Sequence, residues 1–338
     1  MTFEIKHGDC LEVMRGMADN CVDAIVTDPP YFKVKSEAWD RQWDKPHQFI
    51  EWMGQLAEQW QRILRPNGSL YVFASPKMAA RVEVKIADRF EVLQSVVWFK
   101  GNAGRGAQAE KEAMRNWWPG SERIIFAEHY GADNIAKGEA GYEAKCDELR
   151  GFVFEPLRSY LAEEVKRAEW TPGRLNEAMG FAPRGMAETR YFGRSQWQLP
   201  TEPHYTKMRE LLGPEYLRRE YEDLRREYED LRREYEDLRR PFSVTARDQW
   251  SDVWDFDPVQ AYPGKHPCEK PLPLLCHILS ASTKPGAVVF DPFAGSASLG
   301  EACHELGRKF IGVELCPDNY AKAARRIEAV KAQERLFA

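Results

Sequence analysis

The chain has 338 residues, 43% hydrophobic and 30% charged, enough to bury a sizeable core in one or two domains of roughly 150 residues each. Forty-eight Lys and Arg against 53 Asp and Glu leave a net charge of −5, which excludes a generally basic nucleic-acid coat and confines any nucleic-acid contact to a local patch. Seven cysteines with no C-x-x-C pair argue against a disulfide framework or a zinc site and for a reducing, cytoplasmic setting; no apolar run approaches the roughly 18–20 residues of a bilayer span.

The first residues, Met1–His7, read as a strand start rather than a signal peptide. Strands are predicted at Phe3–Lys6, Val22–Thr27, Ser69–Ala74, Glu91–Lys100 and Glu122–Glu128, then at Ala287–Phe290 and Phe310–Val313. Runs such as VDAIVT, SLYVFA, AVVF and FIGV are apolar without alternation, as in strands covered on both faces. Helical patterns intervene at Pro46–Leu64, Lys77–Asp88, Pro271–Thr283, Ala297–Leu306 and Asp318–Ala332, with Gly307 a natural stop for the fourth. Alternating strands and helices predict an α/β fold with a mostly parallel sheet. Such sheets bind ligands beyond the carboxyl ends of their strands where strand order reverses, which directs attention to the loops after Thr27 and Phe290.

Residues 131–241 break the alternation and are polar and rich in Gly, Pro and charge, so three segments are expected: 1–130, an insert at 131–241, and 242–338. The insert ends in three copies of EYEDLRR at Glu220–Arg226, Glu227–Arg233 and Glu234–Arg240. Tyr221, Tyr228 and Tyr235 occupy one heptad core position and Leu224, Leu231 and Leu238 the other, with Glu and Arg on the flanks. This predicts a helix over 215–240, either laid against its own domain or paired in a dimeric coiled coil, and Pro241 stops it.

Asp28-Pro29-Pro30-Tyr31 follows a buried strand. The Asp28 carboxylate and the Pro29 carbonyl can both accept from an exocyclic NH₂, drawing its nitrogen towards tetrahedral character and freeing the lone pair. Two prolines hold these acceptors rigidly, and Tyr31 offers a ring for stacking on an extruded base. Phe290-Asp291-Pro292-Phe293-Ala294-Gly295-Ser296 follows a second buried strand; its tight Gly turn lets backbone amides approach a ligand, but it is not GxGxxG. Glu314 ends the next strand, where an acid is placed to accept from ribose hydroxyls, so a nucleoside-type cofactor is expected.

Together these motifs resemble the S-adenosylmethionine-dependent DNA amino-methyltransferases of the permuted β-class, over about 1–130 and 242–338. Four further elements carry the resemblance: His7-Gly8-Asp9-Cys10, Leu64-Arg65-Pro66-Asn67-Gly68, Trp98-Phe99-Lys100-Gly101-Asn102 and His266-Pro267-Cys268-Glu269-Lys270-Pro271. The resemblance implies a Rossmann-like seven-stranded sheet in circularly permuted order with an inserted, mostly helical target-recognition region. It implies Asp28, Pro29, Pro30 and Tyr31 as catalytic residues, and Asp9, Cys10 through its backbone, Lys270, Asp291, Phe293, Gly295, Ser296 and Glu314 around S-adenosyl-L-methionine, with no metal. Ala297 and Ser298 stand where the family often has Gly and Thr, so turn packing there is expected to differ.

In the insert, Glu155–Ala168 and Thr171–Gly180 read as two helices around a short turn, with Thr171 an N-cap, consistent with helix-turn-helix geometry that would bring Arg174 or Asn176 to base edges. From Trp170 to Arg209, six basic residues (Arg174, Arg184, Arg190, Arg194, Lys207, Arg209) face three acidic ones, interleaved with aromatics including Trp197. Lys100, Asn102 and Arg105 are expected on DNA as well, in a Gly-rich run that orders on it. The expected function is methyl transfer to adenine N6 in double-stranded DNA by a homodimer, favoured by Asp before Pro-Pro-Tyr. A cytosine-N4 enzyme, an inactive DNA-binding regulator and an RNA or protein amide methyltransferase remain alternatives.

Overall fold

The structure, a computed structural model, describes residues 3–34, 37–101, 117, 120–129, 150–194, 196–245 and 248–337. The chain divides into two compact units, Met1–Ile135 with Arg240–Ala338, and Ala136–Arg239.

The first unit is built on a mixed sheet of eight described strands: β1 (Phe3–His7), β2 (Val22–Thr27), β3 (Leu64–Ala74), β4 (Phe90–Phe99), β5 (Ser121–His129), β6 (Val253–Asp255), β7 (Val288–Asp291) and β8 (Lys309–Glu314). Their order is β1-β8-β7-β2-β3-β5-β4-β6. All seven predicted strands are present, and the expected count is corrected to eight by β6. Its three residues pair parallel to the end of β4 (Val97↔Val253 to Phe99↔Asp255), too short a run to show a periodicity in the sequence. β5 lies antiparallel between β3 and β4, and the remaining pairings are parallel.

The unalternating apolar runs have their reason in the layers. In β3, Leu70, Val72 and Ala74 point into one core, whereas Tyr71 and Phe73 point into the other. Helices α1 (Cys10–Arg15), α2 (Pro46–Ile63) and α3 (Ala79–Ala87) cover the first face. In α2, Phe49, Met53, Leu56, Ala57, Trp60 and Ile63 form one buried stripe at helical spacing, started by Pro46 in the first turn. The sequence reading missed α1, a six-residue helix capped by Asp9, whose Oδ1 accepts from the Leu11 and Glu12 amides at 2.9 and 3.1 Å. The second face is covered by α8 (Leu272–Ser282), α9 (Ser298–Glu305) and α10 (Pro317–Phe337).

The second unit holds α4 (Glu155–Arg167), α5 (Pro172–Ala178), a π-helical turn at Ala187–Tyr191, α6 (Glu202–Leu212) and α7 (Tyr221–Leu238) around its own apolar core. Thr171 caps α5 as expected, its hydroxyl accepting from the Arg174 amide at 3.2 Å, and Gly180 takes a left-handed φ of +83° after it. The heptad segment is helical over less than 215–240. Before Tyr221 the backbone groups are taken by side chains: the Leu217 amide donates to Glu164 at 2.7 Å, and the Leu217 and Arg219 carbonyls accept from the Tyr205 hydroxyl. Within α7, Leu224 and Tyr235 are buried in this unit's core, with Tyr221, Tyr228 and Leu231 partly buried against it, so the heptad stripe is laid on its own unit.

Candidate active site

The parallel pairings set the carboxyl ends of β1, β8, β7 and β2 side by side. From β2 the chain crosses to β3 on one side and from β7 to β8 on the other, so the switch of direction falls between β7 and β2. Asp9, Glu314, Asp291 and Asp28 stand at or just past these four ends, and all four line one solvent-open cleft. Cys10, Pro29, Pro30, Tyr31, Lys270, Phe293, Gly295 and Ser296 line it too. Residues from the two ends of the sequence thus meet in one cavity.

Each end is braced locally. Asp291 Oδ1 accepts from the Thr27 hydroxyl and from the Phe293 amide, both at 3.0 Å, and burial pushes its carboxyl up to about 7. Glu314 takes the Gly295 amide on one oxygen at 2.9 Å and the Cys316 amide on the other at 2.8 Å, while burial raises its pKa. Gly295 turns at φ +52°, and a Cβ there would sit 3.0 Å from the His266 ring. That ring is largely buried, which lowers its pKa to about 4 and keeps it neutral. Ala297 adopts φ +56°, so the position where the family often has Gly keeps a left-handed turn with a Cβ in it. Burial pushes the Cys10 thiol up to about 12, which leaves its backbone as its polar contribution. Trp52 packs edge-on to Phe293 at 5.6 Å and forms an apolar wall.

At the other end of the cleft, Lys270 joins Asp28 and Tyr31. Its Nζ donates to Asp28 Oδ2 at 2.5 Å, reaches the Tyr31 hydroxyl at 3.3 Å and pairs with Glu122 at 3.3 Å, so the residue expected at the cofactor is here a partner of the Asp28 carboxylate. The rings of Tyr31, Phe73 and Trp98 lie 4.9–5.9 Å from the ammonium. Tyr31 donates its hydroxyl to Glu122 at 2.8 Å. Lys100, expected on DNA, has its ammonium paired with Glu122 in this network. Asp28 Oδ1 is buried and has no hydrogen-bond partner among the described residues. Burial raises the Asp28 pKa against the lowering effect of Lys270. Burial also opposes the charge of Glu122, but Lys270 and Lys100 outweigh it and hold that carboxyl at about 2.

Sequence reasoning missed Glu122 and Asp40. The register of β4 on β5 sets Trp98 opposite Glu122, so a Lys two residues beyond Trp98 was a signal once the hairpin pairing is known. Asp40, fully buried, accepts from the Tyr31 amide on Oδ1 and the Val34 amide on Oδ2, each at 2.6 Å. Between them Phe32 and Lys33 both hold left-handed φ values of +61° and +60°, a strained pair that this clamp maintains.

A DNA methylase family profile matches residues 22–325. The chain belongs to the N6/N4 DNA methylase family. DNA methylases of this family take their methyl group from S-adenosyl-L-methionine. This methylase is 25% identical over 333 residues to the DNA adenine methyltransferase YhdJ of Escherichia coli (strain K12), covering 96% of this chain and 82% of that one. It is 42% identical over 84 residues to the type II methyltransferase M2.DpnII of Streptococcus pneumoniae, covering 24% of this chain and 31% of the relative. In fold it is similar to an M1.HpyAVI–SAM complex (TM-score 0.51, 17% identity, 96% of this chain and 99% of that one). It is likewise similar to the PvuII DNA methyltransferase (cytosine-N4-specific), with a TM-score of 0.55 and 12% identity over 98% of this chain and 91% of that one.

In the methylase's second unit, two expected DNA contacts are corrected. Asn176 is 2% exposed, donating to the Ala182 carbonyl at 2.7 Å and accepting from the Ala187 amide at 3.2 Å, so its amide is spent on the unit's own turn. Trp197 is 1% exposed in the core, its Nε1 donating to the Tyr191 carbonyl. Arg174, Arg184, Arg190 and Arg194 are exposed, Arg174 stacking on Trp170 at 4.0 Å and Arg194 reaching Glu155 at 3.8 Å. Asn102 and Arg105 lie outside the described residues. Among the described residues no cluster of metal-ligating side chains is present, and no helix is long and apolar enough to cross a membrane.

Proposed function

We propose that this methylase transfers a methyl group to N6 of an adenine turned out of double-stranded DNA. The observation that carries the reading is the buried, unpartnered Oδ1 of Asp28, an acceptor held rigidly by Pro29 and Pro30 at one end of the cleft. A buried acceptor without a partner costs about 1–3 kcal/mol, a cost that an amine donor recovers. Adenine is favoured over cytosine by Asp at position 28 and by the likeness to the YhdJ adenine methyltransferase along most of the chain.

The other end of the cleft fits S-adenosyl-L-methionine. Glu314 retains acceptor capacity for ribose hydroxyls, the Gly295 turn admits close backbone approach, Phe293 and Trp52 supply an apolar wall, and Asp9, Asp291 and Ser296 complete the polar lining. When bound, the cofactor supplies a methyl carbon activated by its sulfonium sulfur. The chain's own groups then do the positioning. Asp28 Oδ1 and the Pro29 carbonyl accept the two amine hydrogens and pull the nitrogen towards a tetrahedral shape, so that its lone pair would be free to form the N–C bond as the methyl's C–S bond breaks and leaves its electron pair on sulfur. The proton displaced from the methylated nitrogen has the Asp28 carboxylate as its acceptor. Tyr31, its hydroxyl tied down, presents its ring to the base. Most of the acceleration comes from proximity and orientation.

DNA is held through the exposed Arg174, Arg184, Arg190 and Arg194 of the second unit. The reading includes a homodimer; association through α7 would use its exposed Arg225 and Arg232 flank, since the apolar stripe is laid on its own unit. The test is base-resolution mapping of methylation in DNA from a host expressing the chain, beside the Asp28→Ala variant. Methyl-adenine at a defined site, lost in the variant while calorimetry still detects cofactor binding, supports the reading; retained activity in the variant, or methyl-cytosine at N4, overturns it.

A further inference from the structure

No motif of the sequence marks Glu122, yet its carboxylate meets Tyr31, Lys270 and Lys100 at the reactive end. It enters from β5, accepts the Tyr31 hydroxyl at 2.8 Å, pairs with Lys270 at 3.3 Å and binds Lys100. Lys270 passes the constraint on to Asp28 Oδ2 at 2.5 Å. Two carboxylates and two ammonium groups therefore balance in a site whose side chains are 8–28% exposed. Such a set stays together because removal of one member leaves another charge unpaired away from water.

We infer that Glu122 is the positioning residue of the methyl-transfer site: it fixes Lys270 on one oxygen of Asp28 and Tyr31 at its side, leaving the second oxygen for the target amine. The inference rests on the proposed reading of Asp28 as the amine acceptor. Without Glu122, Lys270 has a single carboxylate partner in reach and is free to centre on it, covering the oxygen the amine needs, and the Tyr31 ring loses its anchor. The charge environment supports this. Asp28 is faced by Lys270 and Tyr31, by Glu122 across from them and by Asp291 from the end of β7, with Lys100 reaching Glu122. The negative charge of Glu122 works to raise the Asp28 pKa and Lys270 works to lower it, so the two partners pull its titration in opposite directions.

The experiment is steady-state methylation of duplex DNA by full-length Glu122→Gln and Lys270→Gln across pH, with calorimetric binding of S-adenosyl-L-methionine. For Glu122→Gln the expected result is a kcat about 10–100-fold lower, a cofactor Kd within about threefold of wild type, and an acid limb of kcat/KM moved to lower pH. For Lys270→Gln the acid limb moves to higher pH. An acid limb that stays in place in a folded Glu122→Gln variant overturns the inference, as does cofactor affinity lost in parallel with rate, the signature of a merely structural residue. Should Glu122→Gln not fold, Glu122→Asp keeps the charge and retracts it by one methylene. It is expected to lose at least about tenfold in kcat with its acid limb unmoved, and a wild-type kcat there overturns the inference. A wild-type chain that methylates no DNA refutes the underlying reading instead, whereas an active wild type with an unaltered Glu122→Gln refutes this inference alone.

Discussion

The Thr27 hydroxyl donates to Asp291 Oδ1 at 3.0 Å, joining residues 264 apart in the sequence at the ends of two adjacent parallel strands. The Phe293 amide donates to the same oxygen, so the two loops that line the cleft share one buried acceptor.

Ionising that acceptor carries a cost. Burial lifts the Asp291 carboxyl from 3.8 to about 7, so between those values the folded chain holds its proton more tightly than the unfolded chain. Stability therefore falls as pH rises through that window. Asp291→Asn keeps an Oδ1 for both bonds and removes the ionisation. Melting curves are expected to show the variant about 4 kcal/mol more stable than wild type at pH 8 and near equal at pH 4, with weaker cofactor binding. A variant less stable than wild type at pH 8 contradicts the assignment.

Gly295→Ala places a Cβ at φ +52° and 3.0 Å from the His266 ring, on the residue whose amide binds Glu314. The left-handed backbone alone costs about 1–2 kcal/mol. Calorimetry is expected to find cofactor affinity at least about tenfold lower, a change of 1.4 kcal/mol or more. Unchanged affinity would mean that this turn does not touch the cofactor.

Asp40→Ala removes the acceptor for the Tyr31 and Val34 amides and releases the left-handed pair Phe32 and Lys33. Both part-buried amides lose their acceptor, so the loop relaxes and carries Tyr31 with it. Rate measurements are expected to show kcat down by about tenfold or more with cofactor Kd little changed. Equal losses in both would place Asp40 in general folding rather than in positioning Tyr31.

The second unit offers a contrast between surface and interior. Arg190→Ala and Arg194→Ala remove exposed charge and are expected to weaken DNA binding across all sequences, each reducing the salt slope of log K by about 1. Asn176→Ala strips the partners from the Ala182 carbonyl and the Ala187 amide, and is expected to cost about 1–3 kcal/mol of stability without changing which base is methylated. A changed site preference in Asn176→Ala would return that residue to the DNA surface.

Local chemistry determined much of this protein from its sequence alone. Continuous apolar runs such as VDAIVT and SLYVFA announced strands covered on both faces, because period-two side chains must find a core on each side. Asp28-Pro29-Pro30-Tyr31, the Gly295 turn and Glu314 were legible because rigid acceptors, a left-handed turn and a strand-end acid each need a particular residue type in a fixed local order. Only tertiary structure decided which polar groups face one another. Lys270 turned to Asp28, Lys100 to Glu122 and Asn176 to its own turn because a buried charge or amide takes the partner that the fold brings within reach, and sequence spacing does not encode that distance. Trp197 was decided in the same way: an aromatic ring stacks as well on a core as on a base, and burial among the neighbours of its own unit settled the choice.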